Sequence, residues 1–210
     1  MYGRRVFIKG VLGAGLAGSG LAGASQAVAP SRYEPVMGDD GLLTQPWFMN
    51  TFLILPDDLK ELSAQGKRLA VFWEQRGCPY CREMHMVNLA KPQIADYVRR
   101  HFGVVQLNIF GAREVTDFDG QVLGEREFSQ KSRVRFTPTI QFFPDTLTKA
   151  QGKPGVEVEV ARIPGYFRPF HFLSMFEFVY EKQYERTSFQ TYLQEKLAAL
   201  SAKGLKPEVQ

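Results

Sequence analysis

The residues with the clearest capacity for chemistry are the chain's two cysteines, Cys78 and Cys81, which are separated by Pro79 and Tyr80. They follow an apolar run, residues 69–73, that is typical of a strand buried on both faces. A helix that begins here would place the first thiol among backbone N–H groups at the positive end of the helix dipole, which favours the thiolate. Proline suits the first helical position because it has no N–H to leave unpaired. The spacing therefore predicts an exposed nucleophilic thiolate at Cys78 and a resolving thiol one turn deeper at Cys81.

Other uses of two cysteines at this spacing are less well supported. A zinc site needs about four ligands, and beyond the cysteines the chain offers only His85, His101 and His171, none at the short spacing of a zinc finger. Covalent haem attachment needs a histidine directly after the second cysteine, where the chain has Arg82. A purely structural disulfide across so small a loop would restrict the unfolded chain little. The prediction is redox chemistry without a metal or cofactor.

Alternating helices and strands are predicted around the cysteines. The first half of this pattern comprises a helix at 56–65, a strand at 69–73, a helix at 79–89, a helix at 92–100 and a strand at 104–109. A turn signal at 117–120 predicts a small hairpin or loop within 111–124, before a short helix at 125–133. The cysteines thus lie inside a β-α-β unit.

The second half of the pattern predicts two more strands and two helices. Pro138 is expected at the entrance of a strand at 139–143, because proline inside a strand removes a ladder hydrogen bond. The alternation of Val and Glu predicts a one-sided antiparallel strand at 156–163. A helix opens at Pro169, and Thr187 with Gln190 offers a capping box for a last helix.

Composition and charge are those of one ordinary globular domain. The chain has 210 residues, 44% hydrophobic and 23% charged, which argues against disorder and against a disulfide-dense mini-protein. The net charge is +4, but Arg4, Arg5 and Lys9 lie in an N-terminal segment without acidic residues. Because the rest of the chain is nearly neutral, no nucleic-acid partner is expected.

The N-terminal segment has the pattern of an export signal. Its arginine pair precedes a Gly- and Ala-rich apolar stretch, and it resembles signals of the bacterial twin-arginine translocation pathway. A transmembrane anchor is the alternative, although a stable span needs about 20 predominantly apolar residues. Cleavage is expected after Ala24, with Ala27 as the second choice. We predict a signal peptide at 1–24, an irregular arm at 25–55 and a folded domain at 56–204, with a periplasmic mature form that is not stably inserted in the membrane.

The order of these elements over about residues 69–184 resembles the thioredoxin fold. A closer resemblance is to periplasmic thioredoxin-like proteins of the SoxW type, associated with bacterial sulfur oxidation. It is carried by Cys78-Pro79-Tyr80-Cys81 with Met84-His85, residues 105–109 and 115–120, Phe136-Thr137-Pro138-Thr139, and Gly165-Tyr166 ahead of Pro169-Phe170-His171-Phe172. The resemblance implies an α/β thioredoxin fold: a central mixed sheet flanked by helices, here with an irregular N-terminal arm and an extra C-terminal helix.

The resemblance also implies roles for site residues. Cys78 and Cys81 form the active-site disulfide, Pro138 is cis and faces it, and the backbone of Thr137 pairs with an extended substrate segment. Pro79 and Tyr80 complete the motif.

One position departs from the family pattern. Phe72 stands where ordinary thioredoxins carry a buried aspartate. Glu74, on the same face of the strand, is the candidate for helping to deprotonate Cys81. A solvated glutamate at a strand end is its alternative. His85 is a second candidate for this role, although a surface histidine is the commoner outcome.

The function implied is that of a periplasmic thiol–disulfide oxidoreductase, a reductase of protein disulfides that receives electrons from a membrane thiol transporter of the CcdA/DsbD type. A DsbA-like oxidase or isomerase is an alternative, although the large helical insertion of DsbA-type proteins is not apparent between Ile109 and Pro138. A redox-inert binding module on the same scaffold is the other alternative.

Overall fold

A four-stranded mixed sheet forms the centre of the computed structural model, which describes residues 32–207. Strands in this part of the chain are β1 (Val36–Met37), β2 (Leu43–Thr44), β3 (Arg68–Glu74), β4 (Phe102–Asn108), β5 (Glu114–Thr116), β6 (Val122–Gly124), β7 (Thr139–Phe142) and β8 (Ala161–Pro164). Helices are α1 (Leu55–Ala64), α2 (Pro79–Glu83), α3 (Pro92–His101), α4 (Glu125–Lys131), α5 (Gly155–Val158), α6 (Pro169–Tyr180) and α7 (Phe189–Ala202). A π-helical turn, Met84–Asn88, continues α2, and 3-10 turns occupy Leu147–Lys149 and Gln183–Glu185.

The main sheet has the strand order β4-β3-β7-β8. Strand β3 pairs in parallel with β4 and antiparallel with β7, and β8 pairs antiparallel with β7. A parallel pair needs a crossover connection, which α2, the π-helical turn and α3 supply. This arrangement confirms the predicted central mixed sheet flanked by helices. The predicted hairpin within 111–124 is also present, as β5 and β6.

Helices cover both faces of the sheet and hold β3 between them. Phe72 lies on one face, with its ring centroid 6.3 Å from that of Phe176 in α6. Trp73 lies on the other face, 5.3 Å from the ring of Phe128 in α4. All four side chains are buried, and burying a large apolar side chain contributes about 1.5–3 kcal/mol. The end of β3, which leads to the cysteines, is therefore firmly positioned.

The N-terminal arm was predicted to end at residue 55, but α1 already begins at Leu55; residues 32–54, the described part of the arm, have little regular structure beyond the β1–β2 hairpin. It lies against the main domain, because the Met49 N–H donates to the Val104 carbonyl of β4 at 2.8 Å. Leu42 of the arm is 2% exposed.

The proposed signal peptide, residues 1–24, lies outside the described residues, so its cleavage site and the domain boundaries remain predictions. Among the helices of residues 32–207, none is both long and apolar enough to cross a membrane.

The predicted strand at 156–163 is partly wrong. Its first half forms α5, and only Ala161–Pro164 joins the sheet as β8. The buried carboxylate of Asp117, in the loop of the β5–β6 hairpin, accepts a 2.9 Å hydrogen bond from the Gly155 N–H at the start of α5. This contact anchors a helical turn there. Alternation of Val and Glu could not reveal a contact to a residue so distant in the sequence.

The cap of α7 also differs from the prediction. Ser188, and not Thr187, is the N-cap residue, and its Oγ accepts a hydrogen bond from the Thr191 N–H at 3.1 Å. Because serine and threonine are both good N-cap residues, the sequence pattern alone does not show whether Thr187 or Ser188 caps the helix.

Replacing the cap should weaken the packing of the last helix. Ser188→Ala should lower the free energy of unfolding by about 1 kcal/mol, because it leaves the Thr191 N–H without its acceptor. The matched variant Thr187→Ala should change it by less than about 0.5 kcal/mol. Urea unfolding of both variants measures the difference, and equal losses would contradict the assignment.

Candidate active site

The two cysteines lie at the start of α2, directly after the turn that follows β3. Gly77 in this turn has φ of +73°, a left-handed conformation that favours glycine. Cys78 immediately precedes Pro79, the first helical residue, and its Sγ accepts a hydrogen bond from the Cys81 backbone N–H at 3.1 Å. Cys78 and Cys81 form a disulfide, with their Cα atoms 5.2 Å apart. The structure thus places the predicted pair at a helix N-terminus.

Cys78 is less exposed than predicted. It is 7% exposed in the disulfide form, compared with 4% for Cys81. The loop before β7 lies over it: the hydroxyl oxygen of Thr137 is 3.3 Å from the Cys78 Sγ, and the Thr137 carbonyl oxygen is 3.5 Å from it. The peptide bond between Thr137 and Pro138 is cis, as the resemblance implied.

Aromatic side chains are found within the cysteine motif and directly before Thr137. Tyr80 is 61% exposed and stacks on Tyr166, with ring centroids 6.3 Å apart. Burial and the nearby Glu83 carboxylate raise the pKa of Tyr166, whose hydroxyl donates to Asn88 Oδ1 at 3.1 Å. Phe136, directly before Thr137, is also largely exposed. The disulfide is therefore bordered by exposed aromatic rings.

Glu74 and His85 form a buried pair beside the cysteines. The Nε2 of His85 lies 3.0 Å from Glu74 Oε1 and 3.1 Å from Oε2. Glu74 is 1% exposed and His85 is fully buried, so the alternatives of a solvated glutamate and a surface histidine are wrong. The two candidates that the sequence offered separately for assisting Cys81 are in direct contact.

The local fold explains why both side chains point inward. Glu74 is the last residue of β3 and lies on the same face as Phe72. His85 lies in the π-helical turn, four residues after Cys81. Its ring approaches that of Phe48, with centroids 5.8 Å apart. This aromatic neighbour helps to close the pair off from solvent.

Two glutamines extend the buried pair into a network. The side-chain amide of Gln106, on β4, donates to Glu74 Oε1 at 2.9 Å and to the Leu43 carbonyl of the arm at 2.7 Å. Nε2 of Gln45, also in the arm, lies 3.4 Å from His85 Nδ1. Glu74 Oε1 thus has two donors, Gln106 and His85 Nε2, whereas Oε2 has only His85 Nε2, at 3.1 Å. Oε2 is the carboxylate oxygen with spare acceptor capacity.

A cavity of about 360 Å³ adjoins both the disulfide and the buried pair. Cys78, Cys81 and Glu74 line it from the domain, and Met37, Gly41, Leu42 and Leu43 line it from the arm. The arm therefore forms one wall of the space next to the cysteines.

Gln45 and Gln106 are members of this site that the sequence did not predict. Gln106 did carry a signal, because it is one of only two polar residues, with Asn108, in the predicted strand at 104–109. Gln45 carried none, since it lies in a segment without periodicity. Within residues 32–207 no group of three or more His, Cys, Asp or Glu side chains is placed to hold a metal ion.

Comparisons with known proteins found one family model and several similar solved structures. The family described as a thioredoxin-like domain matches residues 55–180. Among solved structures, a thioredoxin-fold protein from Helicobacter pylori is similar at 21% identity and a TM-score of 0.46, covering 70% of this chain and 92% of its own. A thioredoxin from Thermus thermophilus is similar at 23% identity and a TM-score of 0.45, covering 60% of this chain and 83% of its own. No curated protein matches the chain.

Breaking the buried pair from one side should cost more than breaking it from both. His85→Leu leaves the Glu74 carboxylate buried with only Gln106 as donor, and should lower the free energy of unfolding by about 3–5 kcal/mol. Adding Glu74→Gln removes the uncompensated charge and should recover part of that loss. Urea unfolding at pH 7 of both single variants and the double variant measures the coupling.

The exposed ion pair of Lys149 with Glu185 supplies a control. Glu185→Gln should change the free energy of unfolding by no more than about 1 kcal/mol. If the effects of the His85 and Glu74 substitutions simply add, the two side chains are not coupled.

Proposed function

The chain belongs to the thioredoxin-like domain family, and from this premise we propose that it is a thiol–disulfide oxidoreductase working through Cys78 and Cys81. One observation carries the proposal: the disulfide lies at the start of α2, with the Thr137 hydroxyl 3.3 Å from the Cys78 Sγ and with the buried Glu74 lining the same cavity as both cysteines. A purely structural disulfide has no need of a proton acceptor in the same cavity.

In the reduced protein Cys78 is the nucleophile. Its Sγ lies at the helix N-terminus, where the Cys81 N–H and the Thr137 hydroxyl can both donate to a thiolate. The thiolate attacks one sulfur of a substrate disulfide, forming a mixed disulfide and releasing the other substrate sulfur as a thiolate. Cys81 then attacks Cys78, releasing the second substrate thiolate. The substrate gains two electrons, and the cysteine pair becomes a disulfide.

Cys81 must lose a proton before it can attack. Glu74 lines the same cavity as Cys81, and its Oε2 has spare acceptor capacity. We assign Glu74 as the acceptor of that proton, directly or through one water. His85 holds the carboxylate in place by donating to both of its oxygens.

We further propose that the protein acts as a reductase. A carboxylate that lines the same cavity as Cys81 disfavours a second negative charge there, whereas a strong oxidant requires a stabilised reduced form. The segment between β4 and β7 contains the β5–β6 hairpin and the seven-residue α4, which is unlike the large helical insertion of the DsbA-type oxidases.

The proposed setting is the periplasm, reached through the twin-arginine signal of residues 1–24. Substrates are disulfide-bonded periplasmic proteins, in a sulfur-oxidation context of the SoxW type. Because the periplasm is kept oxidising, a reductase there must be re-reduced across the membrane, and a thiol transporter of the CcdA/DsbD type is the proposed electron donor.

Substitution of the resolving cysteine should trap the intermediate. Reduced Cys81→Ser, mixed with a purified disulfide-bonded protein, should accumulate a covalent complex through Cys78, because no second thiol can release the substrate. Non-reducing electrophoresis and intact-mass measurement detect the complex, which dithiothreitol should dissolve.

Cys78→Ser is the matched control and should form no complex, because the remaining thiol, Cys81, lacks the two hydrogen-bond donors that favour a thiolate at Cys78. Absence of any Cys78-linked product with several disulfide proteins would instead favour a redox-inert binding module. Equal trapping by both variants would contradict the assigned order of attack.

A further inference from the structure

We propose that the N-terminal arm is a working part of the redox centre, with Gln45 as a positioning residue that keeps the buried pair of Glu74 and His85 able to accept a proton. This inference rests on the proposed function, in which Cys81 gives up its proton. The arm lies before the family match, which begins at residue 55. The inference therefore concerns a feature of this chain and not of the matched domain.

The arm is connected to both residues of the buried pair, to His85 directly and to Glu74 through Gln106. Gln45, which is 1% exposed, places its Nε2 3.4 Å from His85 Nδ1. On the other side, the Leu43 carbonyl accepts from the same Gln106 amide that donates to Glu74. The Arg76 guanidinium also donates to the Asp40 carbonyl at 3.1 Å, which holds the arm next to the turn before the cysteines.

The hydrogen-bond directions define the charge of the pair. A neutral imidazole has one donor nitrogen and one acceptor nitrogen. Nε2 of His85 faces two carboxylate oxygens and is the donor, so Nδ1, which faces the Gln45 amide nitrogen, is the acceptor. The pair is then a carboxylate with a neutral imidazole, and it can take up one proton.

The orientation of the Gln45 side-chain amide therefore determines whether His85 is neutral or protonated. Its Oε1 is buried with no hydrogen-bond partner among the described residues, so His85 is the one described group to which the side-chain amide is hydrogen-bonded. If the amide were turned over, Oε1 would require a proton on Nδ1. His85 would then be an imidazolium, and the pair would already hold the proton that Cys81 must deliver.

The proton transfer is balanced within the site. When Cys81 attacks Cys78 in the mixed disulfide, its proton passes to Glu74 Oε2, which becomes a carboxylic acid. The substrate leaves as a thiolate, and the acid later returns its proton to solvent. An imidazolium at His85 would weaken the affinity of Glu74 for that proton.

Few other charged groups face the pair. Cys78, Cys81 and Arg82 line the adjoining cavity. Arg113 lies on the β4 side, where it donates to the Gln106 carbonyl and to Glu125. In the described part of the chain, the hydrogen-bond partners of the Glu74 carboxylate are His85 and Gln106.

The test separates the two chemical steps with a chromogenic aromatic disulfide, 5,5′-dithiobis(2-nitrobenzoate), mixed with reduced full-length protein. The first burst of aryl thiolate reports attack by Cys78, and the second reports resolution by Cys81. The acid limb of the pH profile of the second phase should move to higher pH by about one unit in Gln45→Met, because an unengaged Nδ1 takes up a proton more readily. It should move further in Gln45→Glu, where a carboxylate stabilises the imidazolium.

Gln141→Met is the matched control. Gln141 is also a buried glutamine, bonded to Trp73 and Glu159 away from the cysteines. The Gln141→Met protein should lose as much thermal stability as the Gln45→Met protein, but the pH profile of its second phase should be the same as that of the wild-type protein. ¹⁵N NMR of the chain's three histidines should show His85 protonated only on Nε2 at pH 7.

The outcomes are distinguishable. Absence of the first phase in the wild-type protein would overturn the proposed function itself. A normal first phase with an unmoved second-phase profile in both Gln45 variants would overturn the role of the arm alone. An imidazolium at His85 in the wild-type protein at pH 7 would also overturn it.

Discussion

The structure around the cysteines depends on one constraint: a carboxylate at the end of the central strand is removed from solvent. An isolated buried carboxylate is very costly, so its neighbours must supply hydrogen-bond donors. Glu74 receives them from His85 in the π-helical turn and from Gln106 on β4. The arm then covers both donors. Elements that are far apart in the sequence are thus held together at the point where β3 leads into the cysteine motif.

Much of the fold could be predicted because its signals are local. The apolar run of β3, the cysteine motif at a helix start and the turn residues of the β5–β6 hairpin each act within a few residues. The position of Pro138 at the entrance of β7 follows from its missing N–H. Phe72 stands where the family pattern has an aspartate, and Glu74, two residues further on the same strand face, is the nearest carboxylate that could replace it.

The remaining features depend on contacts between distant segments. The α5 turn is anchored by Asp117, and the pattern of residues 156–163 contains no trace of that partner. His85 lies four residues after the buried Cys81 and so shares its helix face, but its contact with Glu74 joins two segments that spacing alone does not connect. Gln45 belongs to an aperiodic arm, so only its three-dimensional position connects it with the buried pair of Glu74 and His85. Burial of Cys78 by the Thr137 loop is likewise a tertiary effect.

The central claim is that Cys78 and Cys81 form a two-electron couple that donates electrons to protein disulfides. The most direct test is the reduction potential of this pair at pH 7, obtained by equilibration with glutathione or dithiothreitol buffers and mass-tag readout. The account predicts a value near that of thioredoxin, about −270 mV. A value near about −120 mV, in the range of DsbA, would contradict it and make the protein an oxidant.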